Sequence, residues 1–416
     1  MVLLLATWAV ISGCPSSNPP AQQQQTTTPP PARRTGGPPA EPGVMRVCLT
    51  KATHSADISF DGPLTILGDT DKPLAQGGKL DESTLTISAG SAWRLGGYRV
   101  SARRLLLRGL PHGVFHIDGK AYRGDLCFYP SGASDFTAVN LVDMEDYVAG
   151  VVTAESYASY PIEALKAQAI IARTYAMFER ARSGGDGLYD VTDTTSSQMY
   201  GGVKNEIGVG RQVTDATRGL VLVFGPPGQE RVFCTFFFST CGGGTMSVRY
   251  FKRDIPEIPP LMGAECPWCR GQSKWVNWED QSPKFRVVSI PRAEAWARLR
   301  KFNPQLPADG RNVRILVDER DRFGRILTVK LVCDTWSQPV VMLGDEVRRA
   351  IGASEVPSML CDMTDTGTAL VFRNGHGFGH GVGLCQAGAA GMARAGRPAE
   401  VILGHYYPKA MLERAY

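Results

Sequence analysis

The chain predicts an α+β fold, with mainly antiparallel strands around one central alanine-rich helix, behind a disordered N-terminal tether. Three observations carry this expectation. Residues 46–142 alternate in short apolar and polar runs separated by turn dipeptides such as Asp61-Gly62 and Asp118-Gly119, the pattern of antiparallel strands. Residues 161–182 repeat apolar side chains at helical spacing. Residues 15–43 are Pro, Gln, Thr and Ser with almost no large apolar side chain, so they cannot bury enough surface to offset chain entropy.

Taken in order, the first 14 residues are an apolar run too short to span a bilayer. Ile11-Ser12-Gly13-Cys14 sets small residues before a cysteine, as in a bacterial lipoprotein cleavage box, so Cys14 is expected to carry a lipid. A plain signal peptide or a misassigned start is the alternative, because no cation precedes the apolar run. Residues 15–43 are then expected to form a flexible tether, and residues 44–138 a β-rich portion with strands expected at 64–67, 85–88, 98–101 and 105–107.

Residues 139–416 make up the second region. Its helix begins at Pro161, with Ser159 near the N-cap and Glu163 at the positive end, and stops at Ser183-Gly184-Gly185. Ile162, Leu165, Ala169, Ala172 and Ala176 should face the core, and the small alanines imply close packing. Strands are expected at 219–224, 231–238, 285–289, 312–317 and 325–331, and short helices at 345–351, 388–395 and 400–405. Helices interspersed among such strands give the α+β class.

A net charge of +5 suits an anionic polymer and does not call for nucleic acid. No His-Glu-x-x-His helix exists, which disfavours a zinc peptidase. The chemistry points instead to Glu155, expected on a short loop between the apolar residues 148–152 and the tyrosines Tyr157 and Tyr160. Such surroundings raise a carboxylic acid's pKa, so that it can donate a proton near neutral pH. Lys166 and Arg173 lie seven apart on one helix face, which by itself reads as a solvated face. Gln168 points elsewhere and reads as satisfying buried backbone.

Ser197, Gln198 and Tyr200 offer polar groups to sugar hydroxyls, or hydrogen bonds to their own turn. His376 and His380 sit among five glycines in 375–383, too many for a helical metal pair. The backbone could instead approach a ligand there, with His380 and Gln386 near Glu155, or serve only for packing. Tyr406 and Tyr407 read as core. Nine cysteines remain besides Cys14. Disulfides are the default in an oxidising envelope, yet Cys266-Pro-Trp-Cys269 has a zinc-gripping spacing. Cys241, Cys266, Cys269 and Cys385 could supply four thiolates to a structural zinc.

Five blocks occur in order: residues 139–155 (VNLVDMEDYVAGVVTAE), 161–175 (PIEALKAQAIIARTY), 193–202 (DTTSSQMYGG), 239–245 (STCGGGT) and the tail 375–408 beginning GHGFGHGVGLCQAGA and closing on HYYP. Together they resemble the SpoIID/LytB family, the sporulation protein D and amidase-enhancer group of peptidoglycan-acting proteins. The resemblance implies a SpoIID-like fold and a lytic transglycosylase that cuts the MurNAc–GlcNAc bond to leave 1,6-anhydro-MurNAc ends. It gives Glu155 the acid and base role, needs no cofactor for cleavage, and makes peptidoglycan the partner; the cysteine box at Cys14 adds the expectation of an exported, lipid-anchored location. For Lys166 and Arg173 it implies, instead of a solvated face, binding of acidic or carbonyl groups of the glycan. The alternative it implies is a non-catalytic glycan binder that stimulates a cell-wall amidase. Sporulation members are associated with zinc held by a histidine and cysteines near the fourth block. Phe238 stands before Ser239 here, so that ligand set does not carry over.

Overall fold

The alternation of the N-terminal portion closes into two facing sheets in the computed structural model, which describes residues 43–111, 113–184, 187–206 and 208–416. The expected leader with Cys14, and the tether as far as residue 42, lie outside the described residues. One sheet has seven strands, with Val44–Thr53 antiparallel to Phe136–Asp143 and parallel to the short Val191–Thr192. The other has six, including Ser55–Phe60, Leu80–Ser88 and Val114–Ile117. Period-2 alternation aims one face of each strand at the other sheet: Ala56, Ile58 and Phe60 are buried while Ser55 and Asp57 are exposed. Trp93 of the six-stranded sheet meets Phe128 and Phe136 of the other at 6.5 and 5.8 Å. Its indole N–H donates to the Ala102 carbonyl at 2.9 Å, so the polar edge of this buried ring is satisfied.

Among the described residues nine α-helices follow: α1 (Met144–Glu155), α2 (Ile162–Ser183), α3 (Val203–Glu206), α4 (Val209–Ala216), α5 (Trp278–Gln281), α6 (Arg292–Phe302), α7 (Gly344–Ile351), α8 (Gln386–Arg394) and α9 (Ala399–Tyr406). The strand Phe136–Asp143 runs straight into α1, and Asp143 caps it by accepting the Glu145 N–H at 2.8 Å. The boundary expected at 138/139 therefore falls inside a strand.

Helix α2 is the axis of the second region. It contacts α1, α4, α8, α9 and the strand Leu220–Phe224. From Ala164 to Ala176 it is buried on nearly every side, with Lys166 an exception, so its alanines serve several interfaces rather than one face. Ile162, expected in the core, is instead partly exposed in the first turn.

The expected strand 231–238 survives only as Arg231–Val232 and Phe237–Phe238. Between them the chain turns inward. Thr235 Oγ1 donates to the Ile171 carbonyl of α2 at 2.8 Å, and the Phe236 carbonyl accepts from Tyr407 Oη at 2.6 Å. A second core gathers Trp278, Phe285, Trp296, Leu299, Val329 and Phe372 among α6, α7 and two three-stranded antiparallel sheets. The α+β class thus holds, and among the described residues no helix is long and apolar enough to cross a membrane.

Candidate active site

Glu155 is the last residue of α1, not a loop residue as expected. The helix ends because Ser156 turns extended, and Pro161 opens α2 five residues on. Glu155 is partly buried, and its Oε1 accepts the Met199 N–H at 2.6 Å. Burial pushes its carboxyl up to about 7, while the Met199 N–H pulls the other way. Its position at the carbonyl end of a helix disfavours the carboxylate further.

The backbone of Glu155 is fixed from the far end of the chain. Gln386, the first residue of α8, places Nε2 3.0 Å from the Glu155 carbonyl, 3.2 Å from Ser156 Oγ and 3.2 Å from Gln168 Oε1. Ser156 Oγ donates to the same Gln168 oxygen at 3.2 Å. Gln168 Oε1 therefore meets the side chains of Ser156 and of Gln386 on α8, not buried backbone. An orphan carbonyl at a helix end needs a donor, and Gln386 supplies it.

Residues 197–200 form a hook around the carboxyl in which Gln198 and Tyr200 turn inward while the Met199 side chain is exposed. Ser197 Oγ accepts the Thr192 N–H at 3.1 Å, a turn contact. Gln198 is fully buried and accepts from Tyr147 Oη at 3.0 Å. Tyr200 is buried, donates to Asn140 Oδ1 at 3.1 Å and lies so close to Gly150 that a Cβ there would come within 2.6 Å of its ring. The sugar contacts expected of Gln198 and Tyr200 are thus corrected to internal ones. What the hook presents to Glu155 is the main-chain N–H of Met199, a residue that sequence reasoning missed because a backbone donor leaves no side-chain signature.

Two further expectations are corrected. Arg173 is fully buried and forms a bidentate pair with Glu145, at 2.9 and 2.6 Å, and donates to the Leu220 carbonyl at 3.0 Å. Glu145 also accepts from Gly219 N and Tyr416 Oη, so Arg173 has no donor directed to a glycan. His380 spends both ring nitrogens on the main chain: Nε2 lies 2.9 Å from the Phe237 carbonyl and Nδ1 3.1 Å from the Val382 N–H. Burial pushes its pKa down to about 4, and its ring stacks on Phe251. It is a neutral packing residue.

Lys166 remains partly exposed and pairs with Glu163 at 2.7 Å. Tyr157, two residues beyond the acid, is 66% exposed and meets Tyr160 edge-on at 5.4 Å. The buried sulfurs of Cys241, Cys266, Cys269 and Cys385 lie within 4.8 Å of one another and could hold a metal ion.

Comparison with known proteins bears on this arrangement. A family model described as Stage II sporulation protein, SpoIID, matches residues 132–224. An uncharacterized protein of Brachyspira hyodysenteriae is 30% identical over 294 residues, 70% of this chain and 72% of its own. The Stage II sporulation protein D of Bacillus subtilis is 27% identical over 292 residues, 67% of this chain and 76% of its own. The chain belongs to the SpoIID/LytB family. A further member, the amidase enhancer of Bacillus subtilis, is 26% identical over 333 residues, 71% of this chain and 44% of the enhancer. The SpoIID match runs from the strand Phe136–Asp143 to Leu220–Phe224, so it contains Glu155 and its Met199 donor, whereas Gln386 lies outside it.

Proposed function

We propose that this SpoIID/LytB protein is a peptidoglycan lytic transglycosylase in which Glu155 is the acid and then the base. The observation that carries the reading is a partly exposed carboxyl held near pKa 7 by burial, with no charged group contributing to the shift. Protonated Glu155 gives its proton to the bridging oxygen as the MurNAc C1–O bond breaks, and GlcNAc leaves with a hydroxyl. The resulting carboxylate takes the proton from the MurNAc C6 hydroxyl, whose oxygen closes on C1 as a 1,6-anhydro ring. Water is not consumed, and one carboxyl near pKa 7 is suited to both transfers near neutral pH. A hydrolase of the common type would need a second carboxyl across the bond. The exposed Tyr157 ring offers a face to a pyranose, and Lys166 keeps donors for a glycan carboxylate. The protein works in the cell envelope, anchored by a lipid on Cys14.

The test is mass spectrometry of glycan strands, with and without stem peptides, after incubation with wild type and Glu155→Gln. Anhydro-muramyl ends are expected from wild type, with the rate reduced on the order of 10²–10⁴ in the variant. Reducing ends would mean hydrolysis. The relative named amidase enhancer favours a second reading, a non-catalytic glycan binder that stimulates an amidase. Retained glycan binding without cleavage of either substrate would establish that reading instead. Metabolic labelling with a fatty-acid analogue tests the anchor, with label expected in wild type and absent from Cys14→Ser.

A further inference from the structure

Three separate segments deliver four cysteines to one buried point. Cys241 comes from the Gly-rich turn after Phe237–Phe238, and Cys385 from the short strand Leu384–Cys385 paired beside it in parallel. Cys266 and Cys269 come from one tight turn containing Pro267 and Trp268. All four sulfurs lie within 4.8 Å of one another, and Cys241 Sγ and Cys269 Sγ are 3.6 Å apart. Four bonds of about 2.3 Å in a tetrahedron set sulfurs about 3.8 Å apart, which is the spacing of a zinc tetrathiolate. The surroundings suit negative sulfur. Cys385 Sγ accepts the N–H groups of Cys241 and Gly388 at 3.2 and 3.3 Å, and Cys241 Sγ accepts that of Gly243 at 3.4 Å. Tyr406 Oη lies 3.0 Å from Cys266 Sγ. The buried Arg325 guanidinium donates to the Cys241 carbonyl at 2.9 Å, which places a cation beside the cluster. Two disulfides would join the sulfurs in pairs and leave these donors facing neutral atoms.

Helix α8 starts at the cluster. Gln386 follows Cys385, and its side chain holds the Glu155 carbonyl. The helix is pressed onto the Cys266–Cys269 turn so closely that a Cβ on Gly388 would stand 2.6 Å from Cys266 Sγ, and one on Gly391 2.1 Å from the Trp268 carbonyl.

We infer that Cys241, Cys266, Cys269 and Cys385 bind one zinc ion, and that this ion seats α8 so that Gln386 positions the Glu155 end of α1. The ligand set is independent of the transglycosylase reading, whereas the effect on Glu155 rests on it. Untagged wild-type protein is analysed for metal, and its thiols are alkylated before and after chelation. One zinc per chain is expected, with the four cysteines alkylated only after chelation and Tm lowered in the stripped protein. Reconstitution with cobalt should give the intense visible absorption of a tetrahedral thiolate site. Four thiols free without metal, protection that only a reductant removes, or iron in place of zinc would each overturn the assignment.

These readouts need no cleavage assay, so they fail separately from the proposed activity. Gln386→Ala is the positioning test. It should keep its zinc and lose kcat by roughly tenfold or more with KM little changed. An unchanged kcat would sever the link to Glu155.

Discussion

Glu155 owes its raised pKa to burial rather than to a like charge, and that fixes the sign of its effect on stability. Below the ordinary carboxyl value of 4.5 the group is protonated whether folded or unfolded, and its contribution is intact. As pH rises through about 7 the folded protein must ionise a buried acid, and that contribution is lost. Glu155→Gln should therefore gain Tm over wild type as pH goes from 5 to 8. Melting both proteins across that range checks it, and a gain that shrinks with pH would contradict the burial argument. Arg173→Met leaves Glu145 buried without its guanidinium and is expected to cost about 3–5 kcal/mol in denaturant unfolding. The raised pKa of Glu155 was legible in the sequence because apolar neighbours and flanking tyrosines surround it. The role of Arg173 was not. A spacing of seven residues puts two side chains on one face of a helix, but says nothing about what covers that face. Lys166 meets the surface, whereas Arg173, two turns on, meets α1.

At the scale of elements, α2 was expected at 161–182 and spans Ile162–Ser183, since proline and glycine punctuate both ends. Helix α1 was hidden by the valines and Gly150 of residues 148–152, which read as an apolar segment without a helical period. The strand at 231–238 had the right composition, but the Tyr407 hydroxyl and the Leu384 N–H claim the Phe236 carbonyl, and Thr235 turns its hydroxyl into α2. Contacts between elements also set which glycines matter. Gly388→Ala would push a methyl to 2.0 Å from Tyr406 Oη and 2.6 Å from Cys266 Sγ, against buried groups with little room to move. It is expected to lower stability by about 1–3 kcal/mol. Alanine at the exposed Gly404, which meets nothing within 4 Å, is the control in the same denaturant titration.

Across the whole molecule, the α+β class and the order of most elements followed from periodicity and turn residues, because those signals are local. The closing contacts are not local. The strand Met411–Arg414 lies antiparallel along Leu220–Phe224, and Tyr416 Oη reaches Glu145 Oε1 at 2.6 Å, covering the ion pair inside α1 and α2. Removing residues 411–416 should bare that strand edge and the Glu145–Arg173 pair. A lower Tm and concentration-dependent aggregation in light scattering are expected, whereas a truncated chain as stable and monomeric as the full one would show the strand to be dispensable.

The separation of 231 residues between Glu155 and the side chain that holds its carbonyl has a temporal meaning. A chain made from its N-terminus carries the acid long before it carries Gln386. A stalled or clipped chain would present the carboxyl at the end of a helix with no amide to seat it. For the proposed transglycosylase, a segment made long after the acid would thus be the one that sets the acid in place.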